Sequence, residues 1–144
     1  MRILILNGPN LNLLGMREPG IYGNETYAEL CEMIARHSAE KGVEHTVLQS
    51  NHEGALIDSL HGAIGCYDGI VFNPAGYTHT SIAIADAVKA IGIPTVEVHI
   101  SNVEAREAYR QISYVREACI ATISGHGLSG YLEAIDLLIA QSER

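Results

Sequence analysis

Five times in this chain a short apolar run alternates with a stretch of helical spacing, and that alternation restricts the fold more than any other feature. The strand stretches are Ile3 to Leu6, Val43 to Gln49, Gly69 to Phe72, Thr95 to Ile100 and Ile120 to Ile123; the second alternates, and the fourth sets Val96, Val98 and Ile100 on one side. After Thr26, Tyr27, Leu30, Met33, Ile34 and His37 recur on one helix face until Gly42 stops the pattern. Helical spacing returns from Glu53 to Gly65, and a third helix is predicted from His79 or Thr80 to Ile91, halted by Gly92-Ile93-Pro94. Glu104 to Arg110 reads as a short helix, and Leu128 to Ala140 as a last one with a stripe of Leu128, Tyr131, Leu132, Ile135, Leu138 and Ile139. Strand and helix in alternation give an α/β fold: one five-stranded parallel sheet with helices on both faces, most simply in the order 2-1-3-4-5. Residues 1–144 suit one domain, large enough for a real core.

In such a sheet every strand points the same way, and ligands bind beyond the carboxyl ends. The segments expected there are Asn7 to Tyr22, Gln49 to Glu53, Asn73 to His79, His99 to Asn102 and Gly125 to Gly127. The first begins with Asn7-Gly8-Pro9-Asn10, which ends the strand in a turn, and continues to Arg17, Glu18 and Tyr22 between glycines. That stretch is a candidate lid bearing a cation and a phenol; a solvated Arg17-Glu18 pair and an ordinary Tyr22 explain it equally. His99 closes an apolar strand and precedes Ile100-Ser101-Asn102, a turn with free backbone N–H groups suited to a carboxylate. A lone histidine is more often a satisfied core residue, but Asn10, Asn73 and His79 fall on the same rim, which favours a site. Arg106 and Arg110 lie four apart; either Glu107 pairs with Arg110 or an acidic ligand sits nearby, and spacing does not separate the two.

Several functions are poorly matched. A net charge of −8 without a Lys/Arg run disfavours nucleic acid and anionic membranes. No apolar run approaches a membrane span, no leader pattern precedes the first strand, and Cys31, Cys66 and Cys119 lack paired spacing, so the expected location is the cytoplasm. The seven histidines show no ligand spacing, which argues against a metal. Lys41 and Lys89 both fall on helical patterns, away from the strand ends, so no imine-forming lysine is apparent. An FMN electron carrier would need a hydroxyl-rich phosphate loop after the first strand, which is missing; a non-catalytic α/β module remains the other alternative.

The blocks NGPNLNLLGMREPGIYG, LQSNHEGALIDSLHGA, NPAGYTHTSIAIADA, VEVHISNVEAREAYR and SGHGLSGYLEAIDLL, in this order, resemble type II 3-dehydroquinate dehydratases over essentially the full chain. The resemblance implies a flavodoxin-like fold and a cofactor-free lyase that dehydrates 3-dehydroquinate to 3-dehydroshikimate in the shikimate pathway. It further implies a homododecamer built as four trimers. By this resemblance Tyr22 matches the general base, Arg17 the lid arginine activating it, and His99 the general acid. Asn10 matches the asparagine holding a water against an enolate, and Asn73 with the backbone of Ile100 and Ser101 matches the carboxylate site. His79 and Arg110 match groups on the ring hydroxyls, Glu97 and Arg106 supporting charges, and Asp86 an aspartate reaching from a neighbouring subunit. On the third helix, Asp86 falls with Ile82 and Lys89 opposite the inward stripe of Ile84, Val88 and Ile91. Two departures stand out: Asn73-Pro74-Ala75-Gly76, where the family pattern reads N-P-G-A or N-A-G-G, and Ile112, where a histidine is common.

A phenol titrates near ~10, so a tyrosine base near pH 7 needs roughly 4 kcal/mol of preferential phenolate stabilisation. A contacting guanidinium and a lid that excludes water are the expected sources.

Overall fold

The structure, a computed structural model, describes residues 1–16 and 19–144, without the side chains of Pro19 and Tyr22. Five strands, β1 (Arg2–Asn7), β2 (Glu44–Gln49), β3 (Gly69–Asn73), β4 (Thr95–His99) and β5 (Ala121–Ser124), form one sheet in the order β2-β1-β3-β4-β5. All four pairings are parallel, so the expected topology and strand order are those observed. The fold is flavodoxin-like α/β, and its first helix, α1 (Pro19–Tyr22), is a single turn that precedes the longer ones.

Successive side chains in β1 point to opposite faces of the sheet. Ile3 and Ile5 pack with Val71, Val96 and Val98 against α2 (Tyr27–Lys41) and α5 (Ser129–Ser142), where Leu30, Ile34, Ile135 and Leu138 meet them. Leu4 and Leu6 pack with Ile70 and Phe72 against α3 (Glu53–Gly62) and α4 (Ile82–Ile91), through Leu56, Leu60, Ile84 and Val88. The four apolar β1 residues are fully buried, each stabilising the fold by about 1.5–3 kcal/mol. Burial on both faces is why this strand reads as a continuous apolar run.

The helix ends follow local chemistry. Thr26 accepts from Glu29 N–H while the Glu29 side chain reaches back to Thr26 N–H, closing a capping box at the start of α2. Gly42 ends it at φ 69, a left-handed conformation that costs glycine little.

Two expected helices need correction. The segment before Ile91 splits: Ala75–His79 is a 3-10 turn and α4 begins only at Ile82. Ser81 Oγ accepts from Ile84 N–H at 3.0 Å, and this cap marks the start that apolar spacing alone placed too early. The expected helix from Glu104 to Arg110 is two 3-10 turns, Val103–Ala105 and Ala108–Arg110, separated by extended backbone at Arg106. Seven residues are too few to repay helix nucleation without an apolar face to pack. The predicted helix 53–65 ends earlier, at Gly62. A further 3-10 turn, Arg116–Ala118, was not anticipated.

Candidate active site

The strand ends converge on a cleft of about 120 Å³ lined by Pro9, Asn10, Leu11, Asn73, Ala75, Gly76, His79, His99, Ile100, Ser101, Val103, Arg106 and Arg110. Three of the five expected segments supply all of it except the two arginines and Val103, which follow β4. Gln49 to Glu53 and Gly125 to Gly127 do not line it, but both brace it. Gln49 Nε2 donates to Gly8 O and to Asn51 Oδ1, each at 3.1 Å, and Asn51 Oδ1 also accepts from Asn10 N–H at 3.0 Å. The N–H groups of Gly125 and Gly127 donate to the carbonyls of His99 and Ile100, clamping the turn after β4. Gly8 has to be glycine, since a Cβ there would lie 2.5 Å from Pro74 O.

His99 is nearly buried, and its Nε2 lies 3.1 Å from Glu97 Oε2, close enough for an ion pair but without hydrogen-bond alignment. Glu97 is fully buried in β4. Burial alone pushes its carboxyl up, but His99, the Ser113 hydroxyl and Arg116 together hold it below the usual carboxylate range. Ser113 Oγ donates to Glu97 Oε1 at 2.6 Å, Thr122 Oγ1 donates to Oε2 at 3.5 Å, and Arg116 Nε stands 4.0 Å away. Glu97 is therefore an anion at neutral pH, fixed beside the imidazole. Nε2 faces Glu97, and the imidazole lines the cleft.

His79 Nδ1–H donates to Ile112 O at 2.7 Å, which leaves Nε2 as an acceptor for a hydroxyl. Burial above all holds its pKa below the ordinary histidine value, with His99 and Arg110 adding to the effect, so the ring is neutral at pH 7. Ile112 contributes its carbonyl here while its side chain is exposed, which explains why isoleucine is acceptable at that departure from the family pattern.

Arg110 pairs with Glu107 at 3.1 Å, the structural explanation considered for its spacing, and it also lines the cleft. Arg106 reaches Ser101 Oγ at 3.5 Å and Glu107 at 3.7 Å. Asn10 adopts φ 67, a left-handed turn that an asparagine tolerates. Asn73 is buried at the end of β3, its Oδ1 accepting from Ala75 N–H at 3.0 Å. Asp86 is exposed on α4 with Ile82 and Lys89, on the outward face expected, and does not line the cleft of its own chain. The roles expected of Arg17 and of the Tyr22 phenol lie outside the described residues. Among the described residues no cluster of three or more metal-ligating side chains occurs, and no helix is long and apolar enough to cross a membrane.

Sequence reasoning missed Ser113, Arg116 and Thr122 around Glu97, and Asn51 beneath Asn10. No local signal marks them, because each acts across the tertiary structure.

A flavodoxin-like sheet thus carries at its carboxyl edge a polar cleft, a buried carboxylate–imidazole pair and a neutral histidine, at the place where α/β enzymes of this architecture bind their ligands. The dehydroquinase class II family model matches residues 1–139, and the chain belongs to that family. It is 54% identical over 137 residues to a 3-dehydroquinate dehydratase of Corynebacterium glutamicum, covering 95% of this chain and 94% of that protein. The crystal structure of a type II dehydroquinase from Butyrivibrio crossotus superposes with a TM-score of 0.95 at 51% identity, covering 96% and 97% of the two chains. One from Propionibacterium acnes gives 0.93 at 42% identity, with 96% of each chain covered.

Proposed function

We propose that the chain dehydrates 3-dehydroquinate to 3-dehydroshikimate by anti elimination through an enolate, with Tyr22 as base and His99 as acid. The observation that carries the reading is the buried Glu97–His99 pair opening onto a cleft that also holds Asn10, Asn73, His79 and the Ile100-Ser101 turn. Tyr22, activated by Arg17, takes the proton from the carbon beside the ketone, and the electron pair moves onto the carbonyl oxygen. A water on Asn10 hydrogen-bonds that enolate oxygen. Collapse of the enolate forms the carbon–carbon double bond and expels the hydroxyl, which receives the His99 proton and leaves as water. Asn73 with the Ile100 and Ser101 N–H groups holds the substrate carboxylate, while His79 and Arg110 hold the ring hydroxyls.

The reaction converts a ketone into a conjugated enone, so incubation with 3-dehydroquinate should produce a rising ultraviolet absorbance. A flat trace with folded protein would remove the proposal. Tyr22→Phe should nearly abolish turnover while substrate still binds, and Arg17→Ala should behave alike; near wild-type turnover in either variant rules out this base. Borohydride added with substrate should leave the enzyme active, whereas a stable adduct on Lys41 or Lys89 would indicate imine chemistry. For assembly, the proposal is a dodecamer of four trimers in which Asp86 completes a neighbour's cleft. Sedimentation should then report about twelve times 15.5 kDa, and Asp86→Ala should lower activity; a fully active monomer contradicts it. The cytoplasm is the proposed location, and Cys31, Cys66 and Cys119, all free thiols, fit a reducing compartment.

A further inference from the structure

Behind the cleft a line of polar side chains runs through the apolar core between the sheet and α5. Tyr131 is fully buried on α5, Asn7 is fully buried at the end of β1, and Asn73 is nearly so at the end of β3. Tyr131 OH donates to Asn7 Oδ1 at 2.7 Å, and Asn73 Nδ2 donates to Tyr131 OH at 2.9 Å. Asn7 Nδ2 in turn donates to Tyr27 OH at 3.4 Å.

The direction of these bonds is forced. A phenol has one hydrogen, and Tyr131 gives it to Asn7, so toward Asn73 it can only accept. Asn73 must then turn its Nδ2 to the phenol. From the other side Ala75 N–H, which can only donate, requires Oδ1. Ala75 N–H fixes the amide orientation and the Tyr131 phenol fits it, and the opposite orientation breaks two hydrogen bonds at a side chain only 3% exposed. One Nδ2 hydrogen is left over, on a residue that lines the cleft.

We propose that Tyr131, backed by Asn7, is a positioning residue that fixes the Asn73 amide so that an N–H, and not the carbonyl oxygen, meets the substrate carboxylate. The inference rests on the reading of Asn73 as a carboxylate contact. A carbonyl oxygen turned to the same place would repel the ligand, so the orientation is a condition for binding. Because the contact is made in ground state and transition state alike, its loss acts on KM more than on kcat.

The test is steady-state kinetics of Tyr131→Phe against wild type, with 3-dehydroquinate and with its methyl ester. Wild-type turnover of 3-dehydroquinate decides the functional reading by itself, so the two failures are distinct. In the variant KM for the acid should rise on the order of tenfold with kcat within about threefold, and the preference for acid over ester should shrink by a similar factor. A merely structural role lowers the active fraction, reducing kcat with both substrates and leaving the preference intact; that result, or a KM within twofold of wild type, overturns the proposal. A measurement on wild type stands beside it should the variant not fold. In side-chain amide NMR, one Asn73 Nδ2 proton should shift when a non-reacting cyclohexane carboxylate binds, while its Tyr131-bonded partner stays nearly fixed. Equal shifts of both protons, or of neither, contradict it.

Discussion

Two networks of side chains end at the same cleft, one charged and one neutral. Under β4 the Glu97 carboxylate gathers His99, Ser113, Thr122 and Arg116. Under β3 the Asn73 amide is held by Tyr131, Asn7 and the Ala75 N–H. A buried anion is costly to desolvate, and each donor around Glu97 offsets part of that cost. The neutral line needs only matched donors and acceptors. Both hold a side chain of the cleft in one orientation, but only the first titrates within the range in which proteins are studied. Under the proposed roles the charged network serves proton transfer and the neutral one serves carboxylate binding.

Breaking the charged network has the largest expected effect. His99→Ala should lower kcat by about 10²–10⁴, the usual worth of a positioned acid. Ser101→Ala should be milder, since its backbone N–H is the group assigned to the carboxylate. If Ser101→Ala were worse than His99→Ala, that division of labour would be wrong. Glu97→Ala should cost stability as well, roughly 3 kcal/mol by denaturant unfolding, because Arg116, Ser113 and Thr122 lose their common partner.

Ser113→Ala sharpens the comparison. Glu97 has a folded pKa below its unfolded value, so it adds stability above the unfolded carboxyl pKa, and this is lost as pH falls through the folded one. Removing the Ser113 donor lifts the folded pKa, so the acid-unfolding midpoint should move to higher pH. At pH 7 the loss should be about 1–2 kcal/mol, fading once the carboxyl is protonated. Tyr131→Phe is the control from the neutral side. Burial pushes the Tyr131 phenol up from its ordinary value, so it stays neutral throughout this range. Its stability cost, about 1 kcal/mol, should be the same at pH 4 and pH 8. Chemical denaturation across pH separates the two: a Tyr131→Phe cost that grows or shrinks with acid would mean the networks are not independent.

The parallel sheet was legible because β1 and β3 are buried on both faces, and burial writes itself into composition. The rim was legible for a similar reason: Asn73 and His99 stand at strand ends, and Asn10 and His79 in the segments that follow such ends. The two networks were not. Tyr131 falls in the apolar stripe of the last helix, and its hydroxyl partner Asn7 lies 124 residues away in sequence. Ser113 and Arg116 follow the 104–110 segment, where helical spacing suggested a helix and two 3-10 turns stand instead, and Arg116 opens a third such turn that no spacing signalled. Local patterns report what a segment buries. They do not report which polar atom across the core will meet it.

The smallest effect concerns the backbone that carries the neutral network into the cleft. Ala75 has φ 54, left-handed, while its neighbour Gly76 has no positive φ and a Cβ there would meet nothing within 4 Å. The order Ala-Gly therefore sets the glycine one residue past the position whose backbone favours it. A left-handed alanine costs about 1–2 kcal/mol, and glycine's greater unfolded freedom returns roughly half of that, so Ala75→Gly should stabilise by less than about 1 kcal/mol. Gly76→Ala should add about 0.4–1 kcal/mol by the reverse argument. The exchanged pair should then raise the melting temperature by a few degrees, roughly 3–6 °C for a chain of this size. Asn73 Oδ1 keeps its bond to residue 75 N–H in either sequence, so KM for 3-dehydroquinate should stay within about twofold. A melting temperature that falls on exchange would mean that the Ala75 side chain, which packs against the core beneath the cleft, contributes packing worth more than the strain it imposes.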